Sequence, residues 1–597
     1  MKKILFILVT IAFTIPVKAQ WSTDPTENNQ IVFENTYDWE SHLLSDGSFV
    51  VYYNRPDGYR PTGLGDSASF LKHVLKRYNA DGTLIWEKTV ASTPNKTFTV
   101  VNEYVFIDGN DNILICVADA RYDTFGILYP SGLYKWWHPN LSIYKISKDG
   151  DYLWGENGVS IDKTPHHGIA QTNVIALENG SVVVSYSQDA QNGVYSGPVT
   201  TKIVCLDAET GEIKWKKDLM VNSSNVSSGA KLINGGNDEF IAVYNSIAVQ
   251  KLDFNGDEVW PHTVVYDKGG FPSGPLPYTV IKTIPVKRGV FISWYADPDG
   301  DNFEDVFCSY VDMNGNLVFS TGTAGTKLGY QEYSRKFSPV GIYDAVNEFV
   351  YYEWREDNST QSWHRIVGQK ISLTGELVWD ANGVETGAML QRSAGYPAIG
   401  LDDEGNPVFL YLEQTNGQKD YAGYAQKRTP AGDSLWTVTF TNTVGDSEHI
   451  YDKSNLKVLP FSQNQWIALW NDNRPEAADL LNYDHVWGQN ITKDGNIGTT
   501  ITSIEAPVKA NMGNAHFFVA NNPVAGETSF TIKGLKEQKV EISILNGFGK
   551  TVATVFKGAV LNDENTVAWN PGTLAKGIYV ATLRTQAGVE AIKLVIK

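Results

Sequence analysis

A dense run of oxygen ligands stands at Asp297-Pro298-Asp299-Gly300-Asp301-Asn302-Phe303-Glu304-Asp305. Hard cations such as calcium take carboxylate oxygens gathered in a turn, so Asp297, Asp299, Asp301 and Asp305 are the candidate ligands. The glycine comes early for an EF-hand loop, and an acidic solvated loop is the competing reading. A second stretch, Tyr129-Pro130-Ser131-Gly132-Leu133-Tyr134-Lys135-Trp136-Trp137-His138, offers a different chemistry. Aromatic faces stack on sugar rings and bury apolar area at low entropic cost, so Tyr134, Trp136 and Trp137 are candidate glycan or protein contacts. Folding back onto the domain is the alternative.

Other chemistry is sparse. The chain has no His-Glu-x-x-His, no phosphate-cradling glycine loop and no Gly-x-Ser-x-Gly elbow. The adjacent His166 and His167 read as a turn rather than a metal pair. Cys116, Cys205 and Cys308 are far apart in apolar, strand-like runs and read as buried thiols. No cofactor is firmly indicated, and calcium is the one candidate. A formal charge of −18 argues against nucleic-acid partners, which require clustered Lys and Arg.

The elements that must hold these residues are β-strands. One pattern recurs eight times: an alternating strand, a turn centred on Gly, and Trp four residues later. Its glycines are Gly82, Gly150, Gly211, Gly256, Gly315, Gly375, Gly432 and Gly495. Trp86, Trp154, Trp215, Trp260, Trp379 and Trp436 follow six of them; Phe319 and Thr499 replace the indole in the other two. Asp-Gly, Asn-Gly and Thr-Gly supply the positive φ of a tight hairpin. A strongly β-forming strand precedes each hairpin, as in SVVVSY and WIALW, and a further strand precedes that one.

Four strands repeated radially form a β-propeller, here of eight blades, with seven as the alternative if the Thr499 copy is incomplete. In that alternative-prone unit, the segment after Gln20 is placed to complete the blade. The recurring Trp is read as packing between neighbouring sheets.

The ends of the chain read as addresses. Lys2 and Lys3, the apolar run Ile4 to Ile15 and Val17-Lys18-Ala19 form a signal peptide over residues 1–19, with cleavage before Gln20. The run is too short for a membrane span, and no later stretch serves as one. The repeat domain occupies residues 20–505 and a linker 506–516. Residues 517–597 hold a small β-sandwich of about seven strands.

Two resemblances follow from these motifs. GQKISLTGELVWDANGV, YKISKDGDYLWGENGVSI and Trp470-Asn471-Asp472-Asn473-Arg474 resemble a repeat of surface proteins from Bacteroidetes-type bacteria, and the Leu206–Trp215 copy resembles the tryptophan-docking motif of quinoprotein-like propellers. The quinone dehydrogenases of that group imply a vicinal disulfide, and no two cysteines here are adjacent. The tail resembles the type A sorting domain of type IX secretion cargo. The resemblance rests on Asn522-Pro523, on the central strand running into Gly549-Lys550, on Leu574-x-x-Gly577-x-Tyr579, and on the terminal Lys593-Leu594-Val595-Ile596-Lys597. It departs at Asn521, where Pro often stands. It implies export to the outer surface by way of the periplasm, recognition by the type IX machinery, and removal of the tail with attachment to anionic lipopolysaccharide or release.

The resulting expectation is a secreted or cell-surface all-β protein, a large propeller followed by a small sandwich. Its role is extracellular binding, adhesion or structure. The alternative is an enzyme on the same scaffold, either a quinone-dependent oxidoreductase or a hydrolase.

Overall fold

In the computed structural model, residues 21–597 are described except for 35, 37, 62–66, 93–96, 99–104, 120, 123–126, 129–133, 136–139, 164–168, 190–198, 220–229, 245–247, 265–281, 298–302, 320–324, 332–333, 392, 416–419, 443–451, 462–463, 475–484, 499–515, 525, 546–550, 573, 575–576 and 586–587. The described elements are all β-strands, with antiparallel pairing between neighbours in every sheet. The alternating hydrophobic pattern and the Gly turns make strands local, and tertiary contacts then arrange them in a ring.

Up to residue 491, eight sheets follow one another, six of four strands and two of five. The first contains Asp38–Leu43, Phe49–Pro61, Ser67–Tyr78 and Leu84–Ala91, in that order from inside to outside. The sixth contains Ser334–Asp344, Phe349–Asn358, His364–Ser372 and Val384–Leu390. The seventh contains Ala394–Leu401, Pro407–Gln414, Tyr421–Arg428 and Ser434–Thr441. First strands of successive sheets touch one another from the first to the fourth and from the fifth to the eighth, and the first strand of the eighth sheet, Lys453–Phe461, touches that of the first. A shared apolar cluster around Ile241, Trp260, Val290 and Trp294 joins the fourth sheet to the fifth. These contacts close a propeller.

Closure uses the N-terminal segment. Asn29–Val32 pairs with His485–Ile491 and becomes the outermost strand of the eighth sheet. Asn28 donates to the Phe440 carbonyl at 2.9 Å, Thr441 donates to Asn28 at 2.7 Å, and Gln489 donates to the Ser22 carbonyl at 2.6 Å. The first and last parts of the domain are therefore stitched together by backbone pairing and side-chain bonds.

The recurring Trp and Gly meet across sheet boundaries. A Cβ at Gly256 would come within 2.7 Å of the Trp215 ring, and its φ of 73° already favours glycine. The same approach pairs Trp86 with Gly150, Trp154 with Gly211, Trp260 with Gly315, Phe319 with Gly375, Trp379 with Gly432 and Trp436 with Gly495. The missing indole of the eighth unit comes from Trp21, which lies against Gly82 and is fully buried. Six of the seven indoles also donate to a carbonyl in the neighbouring turn, among them Trp21 to Ala80 at 3.1 Å, Trp86 to Lys148 at 2.9 Å, Trp215 to Phe254 at 2.8 Å and Trp436 to Lys493 at 2.9 Å.

Trp154 departs from this pattern because the turn it faces is one residue longer. Gly211 closes on Asp207 rather than on the third residue before it, and the Ala208 carbonyl accepts Lys145 Nζ at 2.9 Å instead. A second departure concerns the outer strands. In the second and sixth sheets the Trp follows only a short bridge, and an added turn, Gly155 to Gly158 or Asp380 to Gly383, leads to the outer strand.

The C-terminal unit has its own core, including Phe530, Ile542, Ile544, Tyr579, Leu583 and Leu594. It contains a three-strand sheet (His516–Val519, Thr528–Lys533, Glu564–Trp569) and a four-strand sheet in the order Thr551–Ala559, Lys539–Leu545, Gly577–Thr585, Gly588–Ile596. Seven strands in two sheets match the sandwich expected.

Candidate functional site

The two rims of the propeller differ in how the chain crosses them. On one rim the turns are short, and backbone bonds such as Gly47 N–H to the Leu44 carbonyl and Gly256 N–H to the Asp253 carbonyl close them. The other rim carries the connections between second and third strands and between successive sheets. Long connections on one rim of a rigid scaffold are where propellers carry binding residues.

At that rim the strand ends hold a set of buried carboxylates, each held by cations or amides. Asp119, Asp357 and Asp472 sit at the ends of the second strands of the second, sixth and eighth sheets. An Arg two residues away clamps each one. Arg121 reaches Asp119 at 2.6 Å, Arg355 grips Asp357 through two bonds of 2.7 and 2.8 Å, and Arg474 reaches Asp472 at 2.7 Å. Arg355 shares a strand face with Asp357, while Arg121 and Arg474 stand in turns just past the strand ends, where their backbone N–H groups donate to Asp119 and Asp472 at 3.1 Å each. His364 Nδ1 lies 2.7 Å from Asp357 and 2.9 Å from Arg355 Nη2. Lys453 also faces Asp472, and burial pulls its ammonium down to about 8 against the attraction of that carboxylate.

Of the four candidate calcium ligands, Asp297 and Asp305 are among the described residues. Asp305 is buried and holds two lysines, Lys336 Nζ at 2.6 Å on one oxygen and Lys327 Nζ at 2.5 Å on the other. Both oxygens are engaged by ammonium groups that a cation would have to displace, so Asp305 acts as an ion-pair partner. Neighbouring Glu304 pairs with Arg335 at 3.1 Å. Asp297 is half-buried, and Asp299 and Asp301 lie outside the described residues. Among the described residues no group of three or more His, Cys, Asp or Glu is arranged around a metal position.

Of the predicted aromatic contacts, Tyr134 belongs to a short strand paired with Ile127–Leu128, while Trp136 and Trp137 lie outside the described residues. His166 and His167 also lie outside them. Cys116, Cys205 and Cys308 are free and buried, as expected, and burial pushes the Cys205 thiol up to about 11.

Other residues on the loop rim carry a signal that the sequence did not disclose. The inner strands of the third, sixth, seventh and eighth sheets each contain a bulge near the rim. In three of them a non-glycine residue takes the left-handed backbone: Ser338 at φ 51°, Tyr396 at 54° and Asn455 at 52°. Bulges re-aim side chains beside functional sites. For a bulky residue such as Tyr the left-handed region is strained, which asparagine would tolerate better. The Tyr396 ring is nonetheless 45% exposed, and its neighbour Gly395 packs close to the Arg355 side chain. Trp363, directly before His364 in the sixth sheet's loop, is 41% exposed.

Glu353 differs from the clamped carboxylates. It is fully buried between the sixth and seventh sheets, with Thr386 donating to Oε1 at 3.2 Å, and Oε2 has no partner among the described residues. Burial pushes its carboxyl well above the usual range, so it is held neutral. A carboxyl whose folded pKa is raised contributes full stability below its unfolded value near 4.5, and that stability is lost as pH rises toward the folded value. Glu353→Gln should therefore raise the melting temperature at pH 8, with the gain shrinking to nothing near pH 4. Thermal melts across that range check the sign, and a constant difference would contradict it.

The tail places its recognised motifs together. Asn522, Pro523 and Val524 lie along the end of the last strand, with Val595 N–H donating to Asn522 Oδ1 at 2.9 Å. Tyr579 is in the core, Gly577 opens its strand, and Lys593 stands opposite Val580 in the register. Gly549 and Lys550 lie outside the described residues.

Comparison with known families matches residues 521–597 to the secretion system C-terminal sorting domain. No curated protein matches the chain. Among solved structures, it is similar to a polysaccharide lyase of family 25, an ulvan lyase, at 11% identity and TM-score 0.38, covering 80% of this chain and 96% of that one. It is also similar to the Dos1 propeller at 9% identity and TM-score 0.35, covering 78% and 95%. An endo-arabinase from Bacteroides thetaiotaomicron matches at 11% identity and TM-score 0.27, covering 45% and 95%.

Proposed function

We propose that this cargo of the type IX secretion system, exported by its C-terminal sorting domain, works outside the cell as a binding module. Its ligand meets the loop rim between the sixth and seventh sheets. The observation that carries this reading is Tyr396: an exposed aromatic ring held on a strained bulge at the rim of a rigid sheet. Strain at an exposed position persists where the surrounding structure fixes it, and such outliers cluster at ligand contacts.

The charged groups support binding over acid–base chemistry. Asp357, Asp119, Asp472 and Asp305 are each committed to cations. The carboxyl held neutral, Glu353, is sealed between sheets and does not reach a substrate. Ring faces such as Tyr396 and Trp363 suit sugar rings or apolar side chains, and Arg355, fixed in place by Asp357, adds a preorganised donor beside them.

The test is a glycan array and a metal-dependence screen on the exported chain, followed by variants against whichever probe binds. Tyr396→Gly removes the ring and relieves the backbone. It should weaken binding roughly tenfold or more while stability holds or rises by about 1 kcal/mol. Unchanged affinity in both Tyr396→Gly and Trp363→Ala would remove this rim as the site.

A further inference from the structure

We propose that the last strand of the sorting domain, Gly588–Ile596, is recognised by strand addition. A segment of the export machinery pairs with its open edge at Val589, Ala591 and Lys593. The inference rests on the match of residues 521–597 to the sorting-domain family and goes beyond it by placing the contact.

The strand is the edge of its sheet, since its one neighbour in the sheet order is Gly577–Thr585. Its outward-facing backbone groups follow from three bonds at its end. Val595 N–H donates to Asn522 Oδ1, the Val595 carbonyl accepts Val524 N–H at 2.7 Å, and Lys597 N–H donates to the Val524 carbonyl at 2.8 Å. In a strand the N–H and C=O of one residue point to the same side, and the side alternates along the chain. Residues 595 and 597 therefore face away from the sheet, and so do 593, 591 and 589. Asn522–Val524 covers the first two. Among the described residues nothing pairs with the other three.

Open edges invite pairing, and natural proteins blunt them with bulges, short strands or covering segments. Of the three other edges of this unit two are blunted, and the third, Glu564–Trp569, has only six residues. Thr551–Ala559 pairs with its neighbour through two register shifts, and His516–Val519 has four residues. Gly588–Ile596 is nine residues long and pairs with Gly577–Thr585 without a register shift. It is the edge that matches a strand-adding partner, which gains affinity from main-chain bonds. Asn522-Pro523-Val524 thus serves as a stop. It seals the terminal end and fixes the register at which an incoming strand must finish.

The test uses the full chain in cells carrying type IX machinery. Ala591→Pro removes an outward N–H that bonds to nothing among the described residues, and proline is tolerated at such edge positions. Ala591→Ser changes the side chain and keeps the N–H. The expected result is a folded Ala591→Pro chain whose surface fraction falls roughly tenfold, with Ala591→Ser exported like the parent. Export of a folded Ala591→Pro chain at the parental level overturns the proposal, while retention of a chain lacking residues 517–597 would still uphold the family assignment. If Ala591→Pro does not fold, amide exchange on the parent chain decides. Solubilised machinery should protect the amides of 589, 591 and 593. No gain in protection, or protection that appears with protein concentration alone and so marks a second copy, overturns it.

Discussion

Trp21→Ala is expected to cost about 3–5 kcal/mol, as large as any single truncation in the ring, because it removes a fully buried indole at the closure. Trp21 lies against Gly82 of the first sheet and donates to the Ala80 carbonyl there, while the following residues complete the eighth. Its loss leaves a cavity between the two sheets that join the chain's beginning to its end. Removing residues 21–32 altogether should have a larger effect. It exposes the unpaired edge of His485–Ile491 and opens the ring, so a lower denaturation midpoint should come with aggregation. Equilibrium denaturation measures both. A loss below about 1 kcal/mol for Trp21→Ala would mean that the ring does not close through this residue.

The second large effect concerns location rather than stability. A chain ending before Phe517 should keep a folded propeller and stay inside the outer membrane. The tail encloses its own apolar core, so its removal leaves the packing of the eight sheets in place. The melting transition of the propeller should therefore survive truncation while surface display does not. A modular domain that carries an address predicts this separation of folding from export.

The ring was legible because its signals are local. A Gly that must turn and a Trp four residues later lie close in sequence, and their eightfold repetition revealed the sheets and the packing role of the indole. Trp21 carried no such signal, since its glycine is Gly82 and no hairpin precedes it. The Asp–Arg clamps at Asp119, Asp357 and Asp472 were missed for another reason. Two polar residues spaced by one look like a solvated strand end until burial shows that the carboxylate is enclosed. The lysine partners of Asp305 were not legible, because Lys336 is 31 residues away in the next sheet and local composition records only the acidic neighbours. Tyr396 was invisible because tyrosine gives no hint of a left-handed backbone, whereas glycine does. The tail was readable almost in full, since its motifs fall on consecutive strands of one sheet and on the segment that seals its edge.

Cell fractionation of the full-length chain beside the chain ending before Phe517 tests the central claim most directly. The full-length chain should be found at the surface or in the medium, and the truncated one should remain inside the outer membrane with its propeller folded. Equal appearance of both outside the cell would show that the tail is an ordinary β-domain and not the export address.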